Sequence, residues 1–231
     1  MRRPMLLAAT LLAASAAQAA VVFTAPTPYL RASDSPYVGP YLYSHLEDLE
    51  DGLLNATGLG ADAGSVLNPG QQTDSVDADD GAVDGLGTRG HSWYVASTAL
   101  TLSYSAVALG QLPTRVGVVF TDIGLRTDTL PPGFGVALIE VFDGNGVSLG
   151  SSSFEFGDGS TFGGTAEDRF IGAESAAGIG SIRIGFSGAS VDWEADHFFY
   201  GRTAGVSAPP SLALALVAGV LLASTRRGRQ R

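Results

Sequence analysis

The sequence predicts an all-β fold, an antiparallel β-sandwich with a jelly roll as its expected form, and three observations carry that expectation. Short apolar stretches alternate with a period of two, as half-buried strands do. The segments between them are rich in Asp and in Gly, of which the chain has 31 in 231 residues. Almost no helical periodicity follows residue 19, so strands and turns must build the domain.

Residues 1–19 precede that domain. Arg2 and Arg3 lead into an apolar stretch over 5–14, and Ala17-Gln18-Ala19 supplies the small-x-small pattern of signal peptidase, predicting cleavage after Ala19. The sandwich is expected over 20–204, about 185 residues, enough for one core. Residues 21–24 read as a short strand. A lead-in follows in which Pro26, Pro28, Pro36 and Pro40 interleave with Tyr29, Tyr37, Tyr41 and Tyr43. Pro denies ladder hydrogen bonds, so this is an edge strand or an extended segment; its tyrosines either cover the core or stack on sugar. Residues 45–54 pair the acids Glu47, Asp48, Glu50 and Asp51 with leucines, which suits either a helical turn or a strand with an acidic rim, the strand being the expectation.

Strands are then expected over 99–104, where Leu100, Leu102 and Tyr104 alternate with polar partners, and over 115–122, whose continuous apolar run marks a central position. Residues 134–142 and 147–154 form a hairpin around Asp143-Gly144-Asn145-Gly146. Ile182, Ile184 and Phe186 line one face of another strand, and 195–200 makes the last.

Charge and composition exclude several functions. The chain has 13 Arg and no Lys against 23 acids, a net charge of −10, and every acid lies within the sandwich region. Phosphate contacts need clustered basic side chains, so no nucleic-acid partner is expected. With no Cys, disulfides, thiolate metal sites and thiol catalysis are unavailable. Gly85-Leu86-Gly87-Thr88-Arg89-Gly90 matches G-x-G-x-x-G but neither follows a buried strand nor opens a helix, so the dinucleotide reading fails. Gly146-Val147-Ser148-Leu149-Gly150 has the G-x-S-x-G spacing but falls at a hairpin and not at a strand-to-helix elbow, and no H-E-x-x-H helix is present. A zinc site from His45, His91 and His197, and a carboxylate pair for glycoside hydrolysis, have no pattern that selects them.

Five carboxylates fall within residues 74–84, and a cation among Asp77, Asp79, Asp80 and Asp84 would relieve their repulsion; hard oxygen donors on a turning loop suit a structural Ca²⁺. The spacing misses the EF-hand pattern, and a solvated loop is the alternative. An acid near the first strands and an Asp in the last also resemble the Ca²⁺ ligands of jelly-roll carbohydrate-binding modules. That resemblance implies a second placement, with Glu50, Asp51 and Asp196.

Residues 205–231 form a separate segment: an apolar run over 212–223, then Arg226, Arg227, Arg229 and Arg231. Twelve apolar residues fall short of the roughly 20 that cross a bilayer as a helix, so a transmembrane helix here would span marginally, anchoring the chain or holding it for processing. Val206-Ser207-Ala208-Pro209-Pro210-Ser211-Leu212-Ala213-Leu214 resembles the PEP-CTERM sorting signal, with Ser207 and Ala208 where that family has Pro and Glu. The resemblance implies an exosortase-type membrane protease as partner, with Pro209, Arg226 and Arg227 in the sorting signal. Glu50-Asp51-Gly52-Leu53-Leu54, the 74–85 run, Leu112-Pro113-Thr114, Thr165-Ala166-Glu167-Asp168-Arg169-Phe170 and Glu194-Ala195-Asp196-His197 resemble β-sandwich regions in front of that signal.

The expected function is a non-enzymatic exported protein of the cell surface or extracellular matrix, associated with exopolysaccharide. A Ca²⁺-stabilised carbohydrate-binding module is the alternative, with Trp93 and Trp193 offering faces to sugar rings. A glycan-active hydrolase is the remote one.

Overall fold

The computed structural model describes residues 20–71, 73–78, 89–122, 136–155, 168–187 and 193–204. Twelve strands are described: β1 Val22–Pro28, β2 Tyr41–Glu47, β3 Leu59–Ala61, β4 Ser65–Leu67, β5 Ser92–Val95, β6 Ala99–Tyr104, β7 Arg115–Asp122, β8 Val136–Phe142, β9 Ser148–Glu155, β10 Arg169–Glu174, β11 Ser181–Ser187 and β12 Trp193–Thr203. All pairings are antiparallel. One sheet runs β1-β10-β7-β12-β5-β4, with β2 also on β12; the other runs β3-β6-β11-β8-β9. From β7 onward the chain passes back and forth between the sheets, a connection pattern suited to a jelly roll.

The period-two residues meet between the sheets. Leu100, Leu102 and Tyr104 of β6, Ala137, Ile139 and Val141 of β8, and Ile182, Ile184 and Phe186 of β11 pack against Val116, Val118 and Phe120 of β7. Trp193, Ala195, Phe198 and Tyr200 of β12 join them. Strand β7 is buried on both faces because a second cluster, Tyr29, Tyr37, Val76, Val119 and Phe170, covers its outer side. Its uninterrupted apolar run follows from that double burial.

The hairpin falls where its turn places it: Asp143 Oδ1 accepts from the N–H groups of Asn145 and Val147, both at 2.8 Å, and Gly146 takes φ 77°. Strand β1 is an edge, as its prolines require, with a register shift between Thr24 and Thr27 that takes in Pro26.

Residues 45–54 correct the expectation of an acid-rimmed strand. Strand β2 ends at Glu47, whose carboxylate accepts from the backbone of Leu49 (3.2 Å), Asn55 (2.7 Å) and Ala56 (2.7 Å). Those three donors draw the chain into a turn in which Leu49, at φ 61°, is fully buried. Among the described residues no helix is long and apolar enough to cross a membrane. The 1–19 and 205–231 segments, including Ala17, Ala19, Pro209, Arg226 and Arg227, lie outside the described residues.

Candidate functional site

Strand β12 carries the candidate site because it departs twice from regular pairing. Opposite β7, Glu194 faces Asp122 and Ala195 faces Phe120, so Thr121 is extra; then Asp196 faces Val119 and Phe198 faces Val118, so His197 is extra. Consecutive strand residues normally point to opposite faces. The bulge at His197 breaks that alternation: Ala195 and Phe198 both enter the inner core, while Asp196 and His197 both lie toward Asp77 on the outer side.

The 73–78 segment closes over these side chains, its 3-10 turn at Val76–Ala78 held by β12 carboxylates. Asp196 Oδ2 accepts from the Ser75 hydroxyl (3.0 Å) and the Val76 N–H (3.1 Å), and its Oδ1 accepts from the His197 N–H (2.7 Å). Glu194 Oε2 accepts from the Asp74 N–H (3.1 Å) and the Ser92 hydroxyl (2.6 Å). His197 pairs through Nε2 with Asp77 Oδ2 and through Nδ1 with the Tyr29 hydroxyl, each at 2.9 Å. Donor atoms of Asp77, Asp196 and His197 lie within 4.8 Å of one another.

Electrostatics mark the cluster as a place of concentrated negative charge. Burial raises the Asp196 carboxyl to about 7, against the pull of His197, and the Asp77 charge adds to the rise. Glu194 also rises to about 7, chiefly by burial, with Asp122 and Asp196 adding to it against the hydrogen bonds from Ser92 and Asp74. Burial opposes protonation of His197, but the hydrogen bond to Asp77 and the charges of Asp196, Asp77 and Asp48 outweigh it, and its pKa rises.

The two metal placements expected from sequence thus each contribute one residue, Asp77 from the acidic loop and Asp196 from the last strand, and His197 is the member that sequence reasoning did not group with them. Asp79, Asp80 and Asp84 lie outside the described residues. Glu50 accepts from the His91 N–H at 2.6 Å, and Asp51 accepts from Leu53 N–H and Asn55 Nδ2 within its own turn. The three histidines do not gather: His45 stacks on Tyr200, His91 sits beside Glu50, and His197 belongs to the cluster above.

Trp93 and Trp193 correct the expectation of sugar-facing rings. They are 7% and 1% exposed, their indole N–H groups donate to the carbonyls of Ala63 and Ser97, and both pack in the core. Aromatic surface survives elsewhere, in an open groove of about 380 Å³ on the outer face of the β1–β12 sheet. Among its lining residues the rings of Tyr41 and Phe199 and the side chain of Leu46 are at least partly exposed, Tyr29 and Tyr37 are as buried as the tryptophans (1% and 6%), and Ser33, Ser35 and Ser44 are also part of the lining. Arg115 fixes one wall: its guanidinium lies over Tyr37 (5.3 Å) and Tyr41 (5.9 Å), donates to the Val38 carbonyl, and pairs with Glu174 at 2.9 Å. Directly paired Gly117 and Gly172 make room for the rings behind that wall; a Cβ on either would strike Phe170 or Tyr37. Tyr29 belongs to both places, since its ring lines the groove and its hydroxyl meets His197.

Fold and site define a two-sheet β-sandwich with a buried carboxylate–imidazole cluster beside an aromatic groove. No family model and no curated protein matches the chain. Among solved structures, the CBM22-2 xylan-binding domain of Paenibacillus barcinonensis Xyn10C is similar at 13% identity and a TM-score of 0.32, over 68% of this chain and 98% of that one. So distant a likeness adds nothing to the assignment of a ligand.

Proposed function

We propose that the chain is an exported, non-enzymatic protein of the cell surface or extracellular matrix that holds a neutral polysaccharide in the groove between residues 29–41 and β2. The observation that carries this reading is the lining of the groove, eleven residues none of which is charged, in a chain of net charge −10. A sugar ring offers apolar C–H faces and a rim of hydroxyls, which aromatic faces and serine hydroxyls complement. Cationic ligands would be drawn to the acids elsewhere, and anionic polysaccharides would be repelled by them.

The groove's shape narrows the ligand further. Tyr41 and Phe199 stand 67° apart, so they form two walls and not a flat platform. A single twisted chain suits that cleft better than a flat crystalline surface. Burial supports the non-enzymatic part: Glu194 and Asp196, the acids raised to about 7, are 4% and 0% exposed and lie beneath the 73–78 segment, whose backbone they accept from. A catalytic acid must reach its substrate. Export rests on the signal peptide pattern and the PEP-CTERM-like tail, with an exosortase-type protease as the implied partner and membrane contact through 212–223. Screening the chain on an array of neutral, uronate-bearing and sulfated glycans tests the reading. Binding confined to neutral polymers is expected; no signal on any neutral glycan contradicts it.

A further inference from the structure

We propose that Asp77, Asp196 and His197 form a site for one divalent transition metal ion of the Zn²⁺ class, bound through two carboxylates and the Nε2 of the imidazole. The proposal rests on neither the export signals nor the groove, so it stands or falls separately from the polysaccharide reading.

Three observations converge on it. The first is the donor set: nitrogen from imidazole beside carboxylate oxygen suits Zn²⁺ and its neighbours, whereas Ca²⁺ takes a shell of six to eight oxygens. Acids alone suggest Ca²⁺, and the histidine changes the preference. The second is the bulge, which places consecutive Asp196 and His197 toward the same Asp77 although a regular strand would separate them. The third is the Tyr29 hydroxyl, which lies outside the donor set and engages Nδ1 at 2.9 Å, leaving Nε2 as the coordinating nitrogen. Metal-bound histidines characteristically have their second nitrogen fixed by such a partner.

The geometry needs only small movements. Zn²⁺ holds N and O donors at about 2.0–2.2 Å, which in a tetrahedron sets them about 3.3 Å apart. His197 Nε2 and Asp77 Oδ2 are already at 2.9 Å, and the widest separation among the three donors is within 4.8 Å. Asp77 lies on the turn with its side chain one-third exposed, so it has room to adjust while Asp196 stays anchored by three hydrogen bonds. Two carboxylates and a neutral imidazole carry two negative charges, which a divalent ion balances, and three protein donors leave a position for water. Because Tyr29 also lines the groove, an ion on His197 would bear on the groove's inner wall.

The test uses tag-free full-length chain titrated with Co²⁺ alone, followed by Zn²⁺ competition. Expected are one Co²⁺ per chain with the intense ligand-field absorption of a low-coordinate nitrogen-containing site, displacement by stoichiometric Zn²⁺, and no displacement by excess Ca²⁺. Asp77→Asn and His197→Gln should each abolish that spectrum, and Tyr29→Phe should weaken affinity by about 10–100-fold. Asp77 is on the surface, so Asp77→Asn decides the matter should His197→Gln fail to fold. Absence of the ligand-field bands, their persistence in Asp77→Asn, or displacement of Co²⁺ by Ca²⁺ at equal concentration overturns the proposal.

Discussion

Asp196 and Glu194 are two buried carboxyls through which this chain responds to pH. Each has its pKa raised to about 7 by burial, from 3.8 and 4.5. A raised carboxyl pKa means that the folded chain keeps a proton the unfolded chain has released, so stability is greatest below about pH 4 for these groups and falls as pH rises toward 7. His197, also raised, works in the same direction, because its protonated form is favoured in the fold. The cost is ~1.4 kcal/mol for each pH unit over which one group stays protonated only when folded. In chelator-treated protein, melting temperature should therefore fall between pH 5 and pH 7.5 and level off above, and Asp196→Asn should flatten the fall. Thermal unfolding followed by circular dichroism across that range checks the sign; a melting temperature that rises with pH would refute this assignment.

At the scale of elements, the bulged β12 and the paired glycines of β7 and β10 do what an idealised sandwich would not. Gly117 and Gly172 face each other across the ladder, and the space left by their missing side chains is filled by Phe170 and Tyr37. Gly117→Ala should thus force Phe170 off its seat and cost roughly 1–3 kcal/mol through overpacking. Gly172→Val should push the Tyr37 ring toward the groove and remove glycan binding. Urea denaturation measures the first effect and titration with a neutral polysaccharide the second; wild-type behaviour of both variants would show that the trough is not tightly filled.

The same elements show why parts of the structure were legible in sequence and parts were not. Strands β6, β7, β8 and β11 follow directly from alternation or continuous apolarity, because each buries one or both faces in a fixed way. The 45–54 stretch misled because its outcome depends on three backbone donors captured by one side chain, Glu47, which no periodicity records. His197 was missed for a related reason: beside Asp196 on a strand it reads as facing away, and only the register shift against β7 puts both on one side. Trp93 and Trp193 read from sequence as faces for sugar rings, and packing between the two sheets places both in the core instead.

For the whole molecule, the proposed export of this cysteine-free acidic chain rests on the sequence patterns of residues 1–19 and 205–231. If the PEP-CTERM-like tail directs processing, protein recovered from the surface of the native host should lack Arg226, Arg227, Arg229 and Arg231. It should also begin at Ala20. Intact-mass spectrometry reads both ends at once, and a surface population that retains the Arg cluster would leave a simple membrane anchor in place of sorting.

The groove is the centre of the functional account, and calorimetric titration of the full chain with a soluble neutral polysaccharide tests it most directly, comparing wild type with Phe199→Ala and Tyr41→Ala. Losing one ring face should cost roughly 0.5–1.5 kcal/mol, a drop in affinity of between about twofold and tenfold. Trp93→Phe, a change within the core, should leave the affinity of the folded protein unaltered. Unchanged affinity in both groove variants, or loss of binding confined to Trp93→Phe, would contradict the assignment of the polysaccharide to this face of the sandwich.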